Sequence, residues 1–170
     1  MKGQNFGLLY FLLVLAQIIL CNFTSLGPYA MLSLLPAMIV CVPLSISTSM
    51  CMLLAFVTGL AVDWLSEGLV GINAASLVPV ALMRKPLIRF FLGEDIITRS
   101  DSFSFRKNGA GKIFMLLLLS TALFLGTYII LDGAGTRPIW FNLTRFGVSL
   151  ACNCILAFIV TDILTVDDRK

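Results

Sequence analysis

Two acids and one arginine stand near the ends of long apolar stretches in this sequence. Asp63 closes one apolar segment, Asp132 closes another, and Arg145 comes early in the last one. Two carboxylates that share a proton can form the dyad of an aspartic peptidase. Here Asp132 begins a turn sequence, Asp-Gly-Ala-Gly, and the chain has no Gly-rich phosphate loop, no nucleophile with a base and no acids spaced for a metal. We therefore expect neither catalysis nor a cofactor.

Polar residues on the last apolar segment follow a helical spacing. Asn142, Arg145, Ser149 and Asn153 are separated by three, four and four residues, which places them on one helical face. Asn153 falls near the middle of this segment, and Gln17 falls near the middle of the first one. These side chains either bond across helices and determine how the helices pair, or line a small polar pocket.

Small residues form a stripe on the segment that ends at Asp63. Steps of four connect Ser47, Cys51, Ala55, Gly59 and Asp63, so all five share one helical face. Small residues let another backbone approach closely, which favours helix association in lipid. We expect this face to receive another helix, including one from a partner protein. Because an arginine facing lipid is costly, we also expect Asp63, in preference to Asp132, to pair with Arg145.

The composition is that of a membrane protein with several spans. Of the 170 residues, 59% are hydrophobic and 12% are charged, whereas about a quarter are charged in soluble domains. The chain has no histidine, and its five cysteines lie in or beside apolar segments, where we interpret them as free thiols packed as small apolar groups. The apolar run after Lys2 lacks a small-x-small cleavage site followed by a polar chain, so we expect it to remain as an anchor.

Apolar runs of membrane-spanning length predict an all-α integral membrane protein that forms a six-helix bundle. The predicted spans are 6–23, 29–42, 44–62, 72–91, 113–131 and 140–164. The second is unusual because only 14 residues separate Pro28 from Pro43, about 21 Å of helix, with Pro36 between them. A proline inside a helix kinks it. We expect this span to be short, bent or enclosed by its neighbours.

Basic residues predict the orientation of the chain. Ten of the twelve lie at the N-terminus, at the C-terminus or in the region around the hydrophilic loop 93–112. By the positive-inside rule, both termini and this loop are cytoplasmic. The loop is interpreted either as lying against anionic lipid headgroups or as docking a cytoplasmic protein. We expect no nucleic-acid partner.

Several motifs together resemble one family. The chain of six short spans contains three such motifs. They are Gly59-Leu-Ala-Val-Asp63, the stretch Gly68-Leu-Val-Gly71-Ile-Asn73 with its hinge glycines, and Leu82-Met-Arg-Lys-Pro-Leu-Ile-Arg89. This arrangement resembles MreD, a membrane protein of the bacterial rod-shape and cell-elongation system, over nearly the whole chain. The most specific feature is the Gly-x-x-x-Asp hinge with the glycines Gly68 and Gly71 after it.

The resemblance implies a non-catalytic scaffold in the bacterial inner membrane. Its expected partner is an MreC-like protein, within a complex that also contains MreB, RodA and a class B penicillin-binding protein and that supports peptidoglycan synthesis. The family resembles the substrate-binding subunits of energy-coupling-factor transporters in fold. The alternative function is therefore a vitamin-type small-molecule binder that docks on an ATPase module, although the short outer loops here favour the scaffold.

Overall fold

The computed structural model describes residues 6–23, 30–67, 70–93, 110–133 and 137–165. Within these ranges the chain is helical and contains no strand. The helices are α1 (Phe6–Phe23), α2 (Leu35–Val40), α3 (Thr48–Val62), α4 (Ile72–Leu92), α5 (Ala110–Gly133) and α6 (Ile139–Thr165), and a π-helical turn, Asp63–Glu67, follows α3. The prediction of an all-α protein is confirmed for this part of the chain.

Four of the described helical segments are long and apolar enough to cross a membrane. They are Phe6–Phe23, Thr48–Ser66, Gly111–Gly133 and Ile139–Thr161. The 21-residue helix α4 is as long as these, but its second half carries Arg84, Lys85 and Arg89, which make it less apolar. These segments identify a membrane protein. The bounds of α1, α4 and α6 lie within one residue of the predicted 6–23, 72–91 and 140–164.

The prediction of a helical second span at 29–42 needs correction. Residues 31–33 have no regular secondary structure, and α2 contains only six residues, about 9 Å of helix. Pro36 lies in the first turn of α2, where its missing N–H costs no hydrogen bond. Pro43 follows soon after the helix ends and disfavours helical backbone at the residue before it. The prolines therefore bound a short helix instead of kinking a long one.

This short segment is the most enclosed part of the fold. Every residue from Ser33 to Val42 is buried, and α2 contacts α1, α3, α4, α5 and α6. The longer helices pack around it, with α4 most extensively against α3 and α5. Between α1 and α3 the chain thus places non-helical backbone inside an apolar bundle, where its polar groups need partners within the protein.

Contacts between elements show in which direction each element runs relative to its neighbours. The Asn22 side chain donates to the Leu65 carbonyl, so α1 ends beside the end of α3. Met31 lies beside Ser149 and Cys41 lies beside Thr161. The buried segment therefore runs alongside α6 and in the same direction. Because α3 and α4 form a hairpin, the start of α3 lies beside the second half of α4.

Candidate functional site

The irregular backbone before α2 is held by two side-chain amides. Gln17 of α1 accepts a hydrogen bond from the Leu34 N–H at 2.6 Å and donates one to the Leu32 carbonyl at 3.3 Å. Asn153 of α6 accepts from the Ser33 N–H at 2.6 Å and donates to the Met31 carbonyl at 2.8 Å. Each amide uses one donor and one acceptor on alternate residues, as a neighbouring strand does.

A hydroxyl completes this arrangement, which we call the backbone clamp: Gln17, Ser149 and Asn153. The Met31 N–H donates to the Ser149 Oγ at 3.0 Å, and all three clamp side chains are 1% exposed or less. The three residues had been predicted from sequence as polar groups inside spans. The structure shows that they bond across elements, and that their partner is the main chain between α1 and α2. Non-helical backbone is tolerated at this depth because they satisfy it.

Asp63 caps the helix that follows it. Its carboxylate accepts hydrogen bonds from the backbone N–H groups of Gly71 (2.8 Å), Asn73 (3.1 Å) and Ala74 (3.3 Å), and from the Asn73 side-chain amide (2.9 Å). These groups include N–H donors of the first turn of α4 that have no partner within the helix, and the helix dipole favours an anion there. The buried charge of Asp63 is thus compensated by the helix N-terminus.

The predicted pair between Asp63 and Arg145 is wrong. The Nη1 of Arg145 donates to the Oδ2 of Asp132, which also accepts from the Nη1 of Arg137 at 3.0 Å. The Arg145 guanidinium lies 5.9 Å from the centre of the Tyr128 ring. Asp132 lies in the last turn of α5 and Arg145 in the second turn of the neighbouring antiparallel helix α6, so the packing of the two helices brings these charges together. Asn142 stands apart from the clamp, beside Gly133, and its buried Oδ1 has no partner in the described residues.

The small-residue stripe packs against α4 of the same chain. Cys51, Ala55, Gly59 and Asp63 are all buried, and a Cβ atom at Gly59 would lie 2.4 Å from the Cα of Ala74. Ser47 differs, because it is exposed and caps α3 by accepting from the Met50 N–H at 3.3 Å. The predicted close helix contact on this face is made by α4 of the same chain. The partner-binding role needs correction, because α4 already covers the stripe.

One of the two predicted hinge glycines has a backbone conformation that favours glycine. Gly71 has a φ of 108° and lies immediately before α4, where its N–H is bound by Asp63. An L-residue rarely adopts this left-handed conformation. Gly68 and residues 94–109 of the predicted basic loop lie outside the described residues.

Arg84 is an interior residue, although by sequence it counts among the basic residues around the loop 93–112. It is 1% exposed. Its Nε donates to the Val40 carbonyl at 3.1 Å and its Nη1 to the Cys51 Sγ at 3.8 Å, while Nη2 has no partner in the part of the chain that the structure describes. Arg84 thus binds the C-terminal end of α2, which carries partial negative charge. Its position was readable, because Leu77, Ala81, Arg84 and Ile88 follow helical spacing on the buried face of α4.

A small cavity lies next to the backbone clamp. It has a volume of about 150 Å³ and is lined by Leu20 and Cys21 of α1, residues 30–32, Tyr128 of α5 and Arg145 of α6. The backbone of residues 30–32 and the side chains of Tyr128 and Arg145 give this cavity polar walls, and it is partly open to the surface. Comparison of the chain with models of protein families, with curated proteins and with solved structures gives no match.

Proposed function

We propose that this chain is a non-catalytic scaffold of the MreD type in the bacterial inner membrane. Its direct partner in this proposal is an MreC-like protein, and through it the chain belongs to a complex with MreB, RodA and a class B penicillin-binding protein. The hinge at Gly59 and Asp63 supports the proposal at the level of sequence. It is the feature that most resembles the family.

The observation that carries the proposal is how the interior polar groups are used. Gln17, Ser149 and Asn153 all bind the chain's own backbone, and Asp63 binds the N-terminus of α4. Side chains that hold their own fold in this way are not available to a substrate without loss of structure. A role in assembly needs a stable shape and places no further demand on these groups.

Six crossings, with both termini in the cytoplasm, belong to the same proposal. Four helical segments have the length and composition of spans, and α4 supplies a fifth crossing despite its basic residues. The segment from Ala30 to Leu44 supplies the other one as irregular backbone followed by α2. Its course alongside α6, from Ser149 to Thr161, supports this assignment because those residues are about 18 Å apart along the helix axis.

Co-purification tests the proposed partner. A tagged chain is solubilised from membranes of the bacterium that encodes it, alongside a tagged polytopic protein of similar size as control. We expect specific recovery of an MreC-like protein, and we expect cells depleted of the chain to lose their rod shape. Normal shape after depletion, with no MreC-like protein recovered, would contradict the proposal.

A transporter subunit is the second candidate, and the cavity beside Arg145 is the observation that favours it. Its volume of about 150 Å³ is smaller than the roughly 300–1,000 Å³ of most small-molecule pockets. This is why we place the scaffold first. The same purification separates the two functions, since recovery of a paired ATPase module in place of an MreC-like protein would favour the transporter subunit.

A further inference from the structure

The cavity beside Arg145 combines positive charge with space for a small group. Arg145 and Arg137 share the single carboxylate of Asp132, so this cluster of described side chains holds two cations and one anion. The Nε of Arg145 is buried and has no partner among the described residues. The cluster therefore carries excess positive charge next to a space of about 150 Å³.

The depth of the cavity matches that of lipid headgroups. Arg145 is six residues after the first residue of α6, and Tyr128 is five before the last residue of α5, so both lie about 8–9 Å from the ends of their helices. Trp64 and Trp140 are 78% and 80% exposed near the same end of the bundle. Exposed tryptophans are typical of the membrane–water interface, so the cavity lies close to the boundary between headgroups and hydrocarbon.

We propose that this cavity binds a phosphate group through the guanidinium of Arg145. A planar guanidinium offers several N–H donors in a geometry that suits phosphate oxygens, and contact with an aromatic ring helps to orient it. Tyr128 provides that ring at 5.9 Å. The phosphate is carried either by the headgroup of an anionic phospholipid or by free phosphate in solution. Asp132 competes with it for Arg145.

Lipid binding to the purified full-length chain tests the proposal. Native mass spectrometry in detergent counts the phosphatidylglycerol molecules retained, with phosphatidylcholine as the zwitterionic comparison. Arg145→Gln should weaken retention of phosphatidylglycerol by about tenfold, as expected for loss of a hydrogen bond to a charged group. Arg145→Lys, which keeps the charge but loses the planar fork, should fall between this variant and the unmodified chain.

Two further variants separate binding from a structural role. Asp132→Asn removes the competing carboxylate, so it should increase retention of phosphatidylglycerol. Thr144→Val changes an exposed neighbour of Arg145 on α6 whose hydroxyl donates to the Trp140 carbonyl and which is not among the lining residues of the cavity, so it should leave retention unchanged. If Asp132→Asn lowers retention as much as Arg145→Gln does, the pair only maintains the fold and the proposal is wrong.

Inorganic phosphate identifies the source of the group. If phosphate raises the melting temperature of the unmodified chain but not of Arg145→Gln, and phosphatidylglycerol binding is equal in both, the site takes free phosphate. If phosphatidylglycerol binding alone depends on Arg145, the site takes a lipid headgroup. Equal behaviour of the two chains toward both probes would overturn the proposal.

Discussion

Charged residues inside the bundle are compensated by groups that lie close to them in the fold. Asp63 receives four hydrogen bonds from residues 71–74, and Arg145 of α6 donates to Asp132 of the neighbouring helix α5. Arg84 differs from Arg145 because no carboxylate is among its described partners, which are a carbonyl and a sulfur atom. Its positive charge is stabilised by the partial negative charge at the C-terminal end of α2. Cations are stabilised in the same way by the ends of broken helices in transporters.

Double-mutant cycles check these assignments. For Asp132→Ala with Arg145→Ala, we expect a coupling energy of about 1 kcal/mol, because the pair is only partly buried and Arg137 remains as a second partner. For Asp63→Ala with Arg145→Ala, we expect the losses in the free energy of unfolding to add. Thermal or denaturant unfolding in one detergent measures both cycles. Strong coupling in the second cycle would mean that Asp63 and Arg145 do meet.

Gly59 offers a second test at this scale. A methyl group there would meet the backbone of Ala74 at 2.4 Å, so Gly59→Ala should lower the free energy of unfolding by about 1–3 kcal/mol. Gly126 in α5 is a matched control, because a Cβ atom there meets nothing within 4 Å. Gly126→Ala should be neutral or stabilising, since alanine favours helix. Similar losses for both variants would show that α3 and α4 do not pack this closely.

The element that most distinguishes this fold is the buried segment from Ala30 to Val42. Its first part, residues 30–33, has no regular secondary structure and changes from half-buried to fully buried along the chain. Backbone groups in such a place must find partners in the protein. The backbone clamp supplies them from α1 and α6, so these two helices are connected to each other through the main chain between them.

Removing one amide of the clamp should loosen this segment. Gln17→Leu and Asn153→Leu each leave a backbone N–H and a carbonyl without a partner, at a cost of about 1–3 kcal/mol. Hydrogen–deuterium exchange of peptides that cover residues 31–42 should increase in both variants. Asn22→Leu is a matched control on α1, because Asn22 is exposed and its side chain donates to the carbonyls of Ile18 and Leu65, outside the clamped segment. Unchanged exchange in the Gln17 variant would show that the clamp does not hold the segment.

For the whole molecule, α2 lies at the centre in contact with all five longer helices, and α4 packs between α3 and α5. The second crossing decides the orientation of everything after it. If the N-terminus is cytoplasmic and the chain from Ala30 to Leu44 crosses the membrane, α3 begins in the cytoplasm and ends outside. If this segment does not cross, α3 must run opposite to α1 across the membrane, which disagrees with the contact between Asn22 at the end of α1 and Leu65 at the end of α3.

Cysteine labelling distinguishes these two arrangements. On a background without the five native cysteines, Ser45→Cys and Val70→Cys place thiols at exposed positions before and after α3. We expect Val70→Cys to react from outside intact cells, and Ser45→Cys only after the membrane is permeabilised. Ser102→Cys, in the basic loop outside the described residues, should behave as Ser45→Cys does. Labelling of Ser45→Cys from outside would rule out the six-crossing arrangement.

Much of this fold follows from composition and periodicity. Apolar length predicted α1, α3, α5 and α6. Helical spacing placed Ser149 and Asn153 on one face, and Gln17 was singled out by its position near the middle of the first span; all three are buried. The same spacing identified the stripe through Gly59 as a close packing surface. These properties are local, because the period of a helix determines which residues share a face. The prolines at 28, 36 and 43 likewise indicated that the second segment is not an ordinary span.

Only the tertiary structure decided what each of those faces meets. No sequence pattern shows that Gln17 and Asn153 bind the backbone of residues 31–34, because any backbone offers the same donors and acceptors. The partner of Arg145 depends on which helices become neighbours, and the connection between α5 and α6 brings Asp132 nearest. Helical spacing placed the Gly59 stripe correctly, but it could not distinguish α4 from a second protein. A helix face carries information about its own surface, and the identity of its neighbour is set by how distant parts of the chain pack.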